Sequence, residues 1–330
     1  MLRTLRPALL LATASVTAGL LTAPAAAFAA DTTTQLTASQ MSAALKTVAG
    51  STGASAAKGW AGSFRMTSER QGSGSGTFVT DPAGGRAYTR IDVPYQHETQ
   101  YAVARKGVYT SLSTAREKAA VKMMRRPSVK YVFAARPSLN ITSWTRDNSA
   151  DPSTVLTDDT EYAGTKVTHT DNSATYRFDD DDEGAYTYEV SAAGVLTSAK
   201  ISYSSYMTVA FTWRYGAQHV TLPTTAQTIG SATLDKGLAY LDLGTDVRKL
   251  AKKSAADVRV AANKHTVRVS VLRKVVKRDV TRFNQDAKVK VVAVTTVTGG
   301  VRISARNPWT GVKVAYTIKA SGKKVVVTKK

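Results

Sequence analysis

The chain has 330 residues, no cysteine and a formal charge of +21 at pH 7. Without cysteine it has no disulfide framework, no zinc–thiolate site and no thiol for a lipid anchor. So large a positive charge favours polyanionic partners.

The first 29 residues have the pattern of a secretory signal peptide. Arg3 and Arg6 precede the apolar run "ALLLATASVTAGLL", and Ala27-Phe28-Ala29 provides a small-x-small cleavage site. The run is too short to span a membrane, and no later stretch reaches the ~20 apolar residues of a spanning helix. We expect cleavage after Ala29 and a secreted protein, released or held non-covalently at the cell wall.

Residues 31–228 are predicted to form a first domain that opens with a helix. The segment "LTASQMSAALKTVAGS" has a helical stripe of apolar residues and a cap at Thr37 or Ser39. Turn residues then recur roughly every ten positions, which is typical of an antiparallel meander. The predicted strands are "GWAGSFRMTS", "GSGTFVTD", "GRAYTRIDV", "HETQYAVARKG" and "VYTSLS".

The alternation of strands and turns is interrupted at residues 114–135, whose composition is typical of a helix, with an interruption at Pro127. Residues 140–159 are polar and are predicted to be a loop. Strands resume with "EYAGTKVTHT", "ATYRF", "AYTYEVS", "VLTSAKISYS" and "YMTVAFTWRYG". In the last strand every large apolar side chain falls on one face, because the alternation has a period of two.

Five consecutive acidic residues, 179–183, followed by Gly184 resemble the start of a calcium loop. The twelfth position of such a loop needs a bidentate Glu, and here it is Val190. Because the run lies between two predicted strands, we interpret it as a charged hairpin turn and predict no metal site.

Residues 231–330 form a predicted second domain that is small, β-rich and basic. It holds 23 Lys and Arg against 6 acidic residues, whereas residues 31–230 hold 20 against 18. The segment "TDVRKLAKKSAADVRVAA" fits a helix, and residues 272–283 fit either a helix or a strand. The cations expected to bind an anionic surface are Arg248, Lys249, Lys252, Lys253, Arg273, Lys274, Lys277 and Arg278.

Three interpretations of this charge remain open: a solvated surface, attachment to an anionic wall polymer, and attachment to acidic lipid head groups. No specific nucleic-acid binding is predicted, because no recognition motif is present and the aromatic residues are not interleaved as a stacking platform. An enzyme has little support and is the third and weakest hypothesis: Ser55-Ala-Ala-Lys58 matches the Ser-x-x-Lys of penicillin-interacting enzymes, but no Ser-Asp-Asn or Lys-Thr-Gly follows. The four histidines lack zinc spacing, and no nucleophile-elbow or phosphate-binding glycine pattern occurs. No cofactor is predicted.

Residues 31–225 resemble the LolA-like lipoprotein-carrier fold, and in particular the LppX/LprG-type lipid-binding proteins. The resemblance lies in the order of the elements, which is carried by "LTASQMSAAL", "DPAGGRAYTRIDVPYQHETQYAVARKGVYTSL", "EYAGTKVTHT", "YTYEVSAAGVLTSAKISYSS" and "WRYGAQHVTLP". It implies an α+β fold in which a curved antiparallel half-barrel has helices plugging its concave side, and a cavity that holds acyl chains. The resemblance also implies that Val209, Phe211 and Trp213 line the sheet side of that cavity, and that Met123, Met124, Val132 and Phe133 line the helix side. The chain departs from the lipid-carrying members in having no lipobox cysteine, and the basic C-terminal region has no recognised counterpart.

We therefore predict a secreted, non-enzymatic protein that binds a lipid or another acyl-chain ligand, with the basic domain holding it at an anionic envelope surface. The alternative is a structural or adhesive wall-associated protein whose half-barrel is filled by its own side chains.

Overall fold

A computed structural model describes residues 30–156, 162–180, 184–203 and 206–330. The predicted signal peptide lies outside the described residues, as do residues 181–183 of the acidic run. Within the described part no helix is long and apolar enough to cross a membrane.

The larger part of the chain is one sheet of thirteen strands, β1 to β13, which is not closed into a barrel. In space the order is β1-β8-β9-β10-β11-β12-β2-β3-β4-β5-β6-β7-β13, and all neighbours are antiparallel except β7 and β13. The strands are β1 (Thr32–Leu36), β2 (Trp60–Ser68), β3 (Gly72–Asp81), β4 (Arg86–Val93), β5 (Gln96–Val103), β6 (Gly107–Ser111), β7 (Tyr131–Ala135), β8 (Gly164–Thr168), β9 (Ala174–Asp180), β10 (Gly184–Val190), β11 (Leu196–Tyr203), β12 (Met207–Tyr215) and β13 (Thr228–Gly230).

Helices α1 (Ala38–Ala56), α3 (Ile141–Asn148) and α4 (Pro152–Val155) lie against one face of this sheet. Helix α1 starts at a capping box in which Thr37 and Gln40 satisfy each other's backbone groups. It buries Met41, Leu45 and Val48 in the same cluster as Trp60. Helix α3 packs Ile141 and Trp144 against small residues of β4 and β5.

The C-terminal region has its own core, made of helices on a second sheet. Helices α5 (Ser231–Leu241), α6 (Leu243–Ala262) and α7 (Val269–Asp286) precede the antiparallel strands β14 (Ala293–Val297), β15 (Gly300–Arg306), β16 (Lys313–Ser321) and β17 (Lys324–Lys329). The description of this region as β-rich was wrong, since helices of 11, 20 and 18 residues make up its larger share. Residues 272–283 are helical.

Helix α2 (Ala115–Met123) joins the two cores by packing against α5. Gly237 permits the close approach, because a Cβ there would lie 2.7 Å from Cε of Met124. An ion pair between Arg116 and Asp242 adds to this contact.

The ten strands predicted in the first domain, which are β2 to β6 and β8 to β12, and helix α1 are confirmed at the level of element type, whereas β1, β7 and β13 were not predicted. The helical prediction for residues 114–135 holds only for α2, because residues 131–135 form β7. The loop predicted over residues 140–159 contains α3 and α4. Strands β9 and β10 pair as a hairpin with Asp180 opposite Gly184, as the interpretation of the acidic run requires, although the turn itself lies outside the described residues.

Candidate functional site: the helical face of the sheet

The register divides the large sheet into two faces. Trp60, Gly62, Phe64 and Met66 point to the side that carries α1, α3 and α4, and we call this side the helical face. The opposite side, to which Ala61, Ser63 and the other intervening residues point, is called the open face.

Glycines let aromatic side chains lie low on the helical face. A Cβ on Gly62 would lie 2.7 Å from Cδ1 of Trp213, and a Cβ on Gly76 would lie 2.2 Å from Cε1 of Phe64. Both contacts are shorter than any real Cβ tolerates, so the rings occupy the space that a side chain would take. The "GSGSG" stretch is therefore part of a strand, in which Gly76 makes room for the ring of Phe64 and Gly74 for the side chain of Val93.

Four aromatic rings form a continuous cluster above these glycines. Phe64 stacks on Phe78 with ring centroids 5.8 Å apart and contacts Phe211 at 6.1 Å. Phe211 in turn stacks on Trp213 at 5.6 Å. Trp213 is 4% exposed and donates a hydrogen bond from Nε1 to the carbonyl oxygen of Ala150, 2.9 Å away, which fixes the segment between α3 and α4. Phe64 and Phe211 are only half-buried.

A cavity of 370 Å³ adjoins the cluster. Phe78 and Ile91 form its apolar floor, and the end of α3 forms its roof. Its remaining walls are polar: Thr89, Gln96, Glu98 and Gln100 from the sheet, and Asp147, Asn148 and Ser149 from the helix side. An apolar floor with a polar rim suits an amphiphilic ligand.

The three residues predicted on the sheet side lie together on the helical face. Val209 pairs with Met66, Phe211 with Phe64 and Trp213 with Gly62. Phe211 and Trp213 belong to the aromatic cluster and Val209 lies beside it, and none of the three lines the 370 Å³ cavity.

The other four predicted residues lie neither in the aromatic cluster nor in the lining of the 370 Å³ cavity. Met123, Met124 and Val132 pack against α5 near β7 and β13, at the far edge of the sheet. Phe133 follows Val132 in a strand, so it points to the open face, where its ring lies 4.7 Å from that of Tyr109. Adjacent residues of a strand point to opposite faces, so Val132 and Phe133 cannot both line one cavity.

Tyr215 lies on the helical face opposite Trp60, at the last residue of β12. Its hydroxyl donates to the carbonyl oxygen of Leu196 at 2.6 Å. Burial, together with the nearby carboxylate of Asp151, raises the pKa of Tyr215 far above its usual value. The phenol therefore stays a hydrogen-bond donor.

The eight predicted surface cations all lie exposed on α6 and α7, but their surroundings differ. Asp257 binds Lys253 at 2.5 Å and Arg278 at 3.9 Å. Arg273 donates to the carbonyl oxygens of Val297 and Gly300. Arg248, Lys249, Lys252, Lys274 and Lys277 have no salt bridge among the described residues.

Among the described residues no three His, Asp or Glu side chains converge in a way that would hold a metal ion. Two histidines are each bound to a single carboxylate: His97 to Asp92 at 2.6 Å, and His169 to Asp31 at 2.8 Å. Neither pair lines the cavity.

The chain thus forms an antiparallel sheet with helices on one face and a partly open aromatic floor between them. No protein-family model matches the sequence, and no curated protein matches it either. Solved structures are similar to it. The lipoprotein LppX of Mycobacterium tuberculosis is 9% identical with a TM-score of 0.29, covering 56% of this chain and 98% of its own. A LolA superfamily protein of Nitrosomonas europaea is 7% identical with a TM-score of 0.20, covering 55% and 94%.

The MucA/MucB complex of Pseudomonas aeruginosa is also similar, with 10% identity, a TM-score of 0.27, and 84% of this chain and 75% of the other covered. The first two likenesses each extend over about half of this chain. At these identities and TM-scores the likenesses say nothing about a ligand or a partner.

Proposed function

We propose that the chain is a secreted, non-enzymatic binding protein that holds an acyl chain in the cavity of its helical face. The observation that carries this proposal is the 370 Å³ cavity beside Phe64, Ile91 and Phe211, which are only partly buried. A sheet face filled only by its own helices would bury these side chains completely, as it buries Tyr188 and Leu196.

The size and lining of the cavity fit one chain of a lipid. Ligand pockets measure about 300–1,000 Å³, and this cavity lies near the lower limit. Burial is worth about 0.8 kcal/mol per methylene, so a twelve-carbon chain gains on the order of 10 kcal/mol before the cost of ordering. That supports micromolar binding. Gln96, Gln100 and Asn148 would contact the polar end of the ligand.

The basic helices supply the second part of the proposal, which is attachment to an anionic envelope surface. Lys274, Lys277, Arg278, Thr281, Arg282 and Gln285 form one exposed stripe along α7 and line a groove of 390 Å³ without a carboxylate. Residues three and four apart share one side of a helix, so these charges act together. Their field attracts polyanions at long range and weakens with salt.

Uptake of a fluorescent fatty acid by the purified protein tests the cavity. Ile91→Glu places a charge on the apolar floor and is expected to abolish uptake. Val79→Glu is the matched control, since Val79 is an equally half-buried strand residue on the open face, and it should retain uptake. Normal uptake by a folded Ile91→Glu variant would refute the cavity assignment.

Co-sedimentation with isolated cell walls and with anionic vesicles tests attachment. Reversing Lys274, Lys277 and Arg282 to Glu should release the protein, whereas the same reversal at the exposed residues Lys313, Lys323 and Lys324 should have a much smaller effect. Equal losses in both variants would mean that only net charge matters. Wall binding without any lipid uptake would support the alternative, a structural or adhesive wall protein.

A further inference from the structure

The open face of the large sheet carries a trough that runs across the strands. It lies between two rows of side chains set by the register, with the backbone of Gly62, Phe78 and Trp213 as its floor. Over β12, β2 and β3 the walls are low, and the trough has a volume of 460 Å³. Thr77, Thr212 and Arg214 are exposed there, so no described element covers it.

The two walls differ in chemistry. One row runs from Ala61 and Val79 to Tyr88 and Tyr101, and is apolar and then aromatic. The facing row presents the hydroxyls of Thr212, Ser63 and Thr77. Ser63 and Thr212 are hydrogen-bonded to each other at 2.9 Å, which presents their oxygens as a pair.

The aromatic wall continues beyond the trough. The rings of Tyr88 and Tyr101 lie 5.0 Å apart, and Tyr131 from the facing row meets Tyr101 at 5.5 Å and closes the trough. Burial, with the hydrogen bond to Tyr131, raises the pKa of Tyr101, so this phenol remains protonated.

Arg214 lines the trough and no carboxylate does, and two further arginines lie beside it. Arg214 is exposed and forms no salt bridge among the described residues, and Arg65 lies in the next row on β2. Arg90 prolongs the hydroxyl-bearing row on β4 and is held only loosely by Asp92, at 3.8 Å. The electrostatic complement of the trough is therefore an anion.

We propose that this trough binds an extended, anionic polysaccharide chain. Sugar rings have apolar faces, which would pack on the aromatic wall of the trough. Their hydroxyl groups would form hydrogen bonds with the Ser and Thr side chains of the facing wall. The strand spacing of about 4.8 Å is close to the length of one sugar ring, which places roughly one residue of the polymer on each strand. A peptide would add at a sheet edge, in the direction of the strands, and not across them.

Isothermal titration with polygalacturonate tests this proposal, with dextran as the neutral comparator. Because α7 also attracts polyanions, the protein carries the Lys274, Lys277 and Arg282 reversals as its background. We expect saturable binding of polygalacturonate, weakened at least about tenfold by Arg214→Glu or by Thr77→Glu. The control is Arg177→Glu, an identical charge change at an exposed position on the same face of β9, which should change the affinity less than twofold.

Equal weakening by Arg177→Glu and Arg214→Glu would overturn the proposal in favour of unspecific attraction. Absence of polygalacturonate binding, or equally tight binding of dextran, would also overturn it. Fatty-acid uptake should be normal in every one of these variants, so failure here leaves the lipid cavity untouched.

Discussion

Gly76→Ala tests whether ring-over-glycine packing shapes the helical face. A Cβ at this position would lie 2.2 Å from Cε1 and 2.8 Å from Cδ1 of Phe64. Carbon atoms in contact lie about 3.5–4.0 Å apart, so the ring must move by more than ~1 Å. It has little room, because Phe78 and Phe211 hold it at 5.8 and 6.1 Å. We expect a loss of about 1–3 kcal/mol in the free energy of unfolding, as is usual for overpacking.

The sign of the effect makes this prediction decisive. Replacing a strand glycine by alanine otherwise stabilises by about 0.5–1 kcal/mol, through the unfolded chain. Urea unfolding followed by tryptophan fluorescence measures the difference. Gly50→Ala is the control, since an added Cβ on α1 meets nothing within 4 Å and should stabilise. A Gly76→Ala protein as stable as the wild type would refute the packing.

Three further changes test the scaffold and its charge, each by urea or thermal unfolding. Leu45→Ala removes a side chain with no exposed surface and should cost about 2–5 kcal/mol. Thr37→Ala breaks the cap of α1 and should cost about 0.5–2 kcal/mol. Hydrogen bonding from Lys253, with the charge of Arg278, lowers the pKa of Asp257 below its usual 3.8. Its stabilising contribution is therefore complete above that pH and is lost as the pH falls through the lowered pKa. Asp257→Asn should remove this acid-dependent part and cost no more than about 1 kcal/mol near neutral pH, because the pair is partly exposed.

The strands were predictable because their alternation is strong and their turns are frequent. β12 is the clearest case, with Phe211 and Trp213 on one face and Thr212 on the other. The role of Gly76 in β3 was not predicted, because glycine usually indicates a turn. The ring that lies above it belongs to Phe64 of the neighbouring strand β2, so the contact depends on how the strands pair. Phe64 and Phe78 were missed for the same reason.

The wrong or missing predictions of helices also have local causes in the sequence. Helix α3 is short and polar, and only Asn140 as a cap with Ile141 and Trp144 three apart indicates it. In α7 the alternating valines at its start suggested a strand, but Leu272, Val275, Val276 and Val280 recur at helical spacing and are all buried. The assignment of Val132 and Phe133 to one surface failed because β7 is a strand.

Native mass spectrometry of the protein purified from the culture medium of its own cells, before and after organic extraction, tests the central claim most directly. We predict a discrete excess over the polypeptide mass that extraction releases as a lipid, and that Ile91→Glu lacks. A bare polypeptide mass, with no uptake of added fatty acids or phospholipids, would contradict lipid binding.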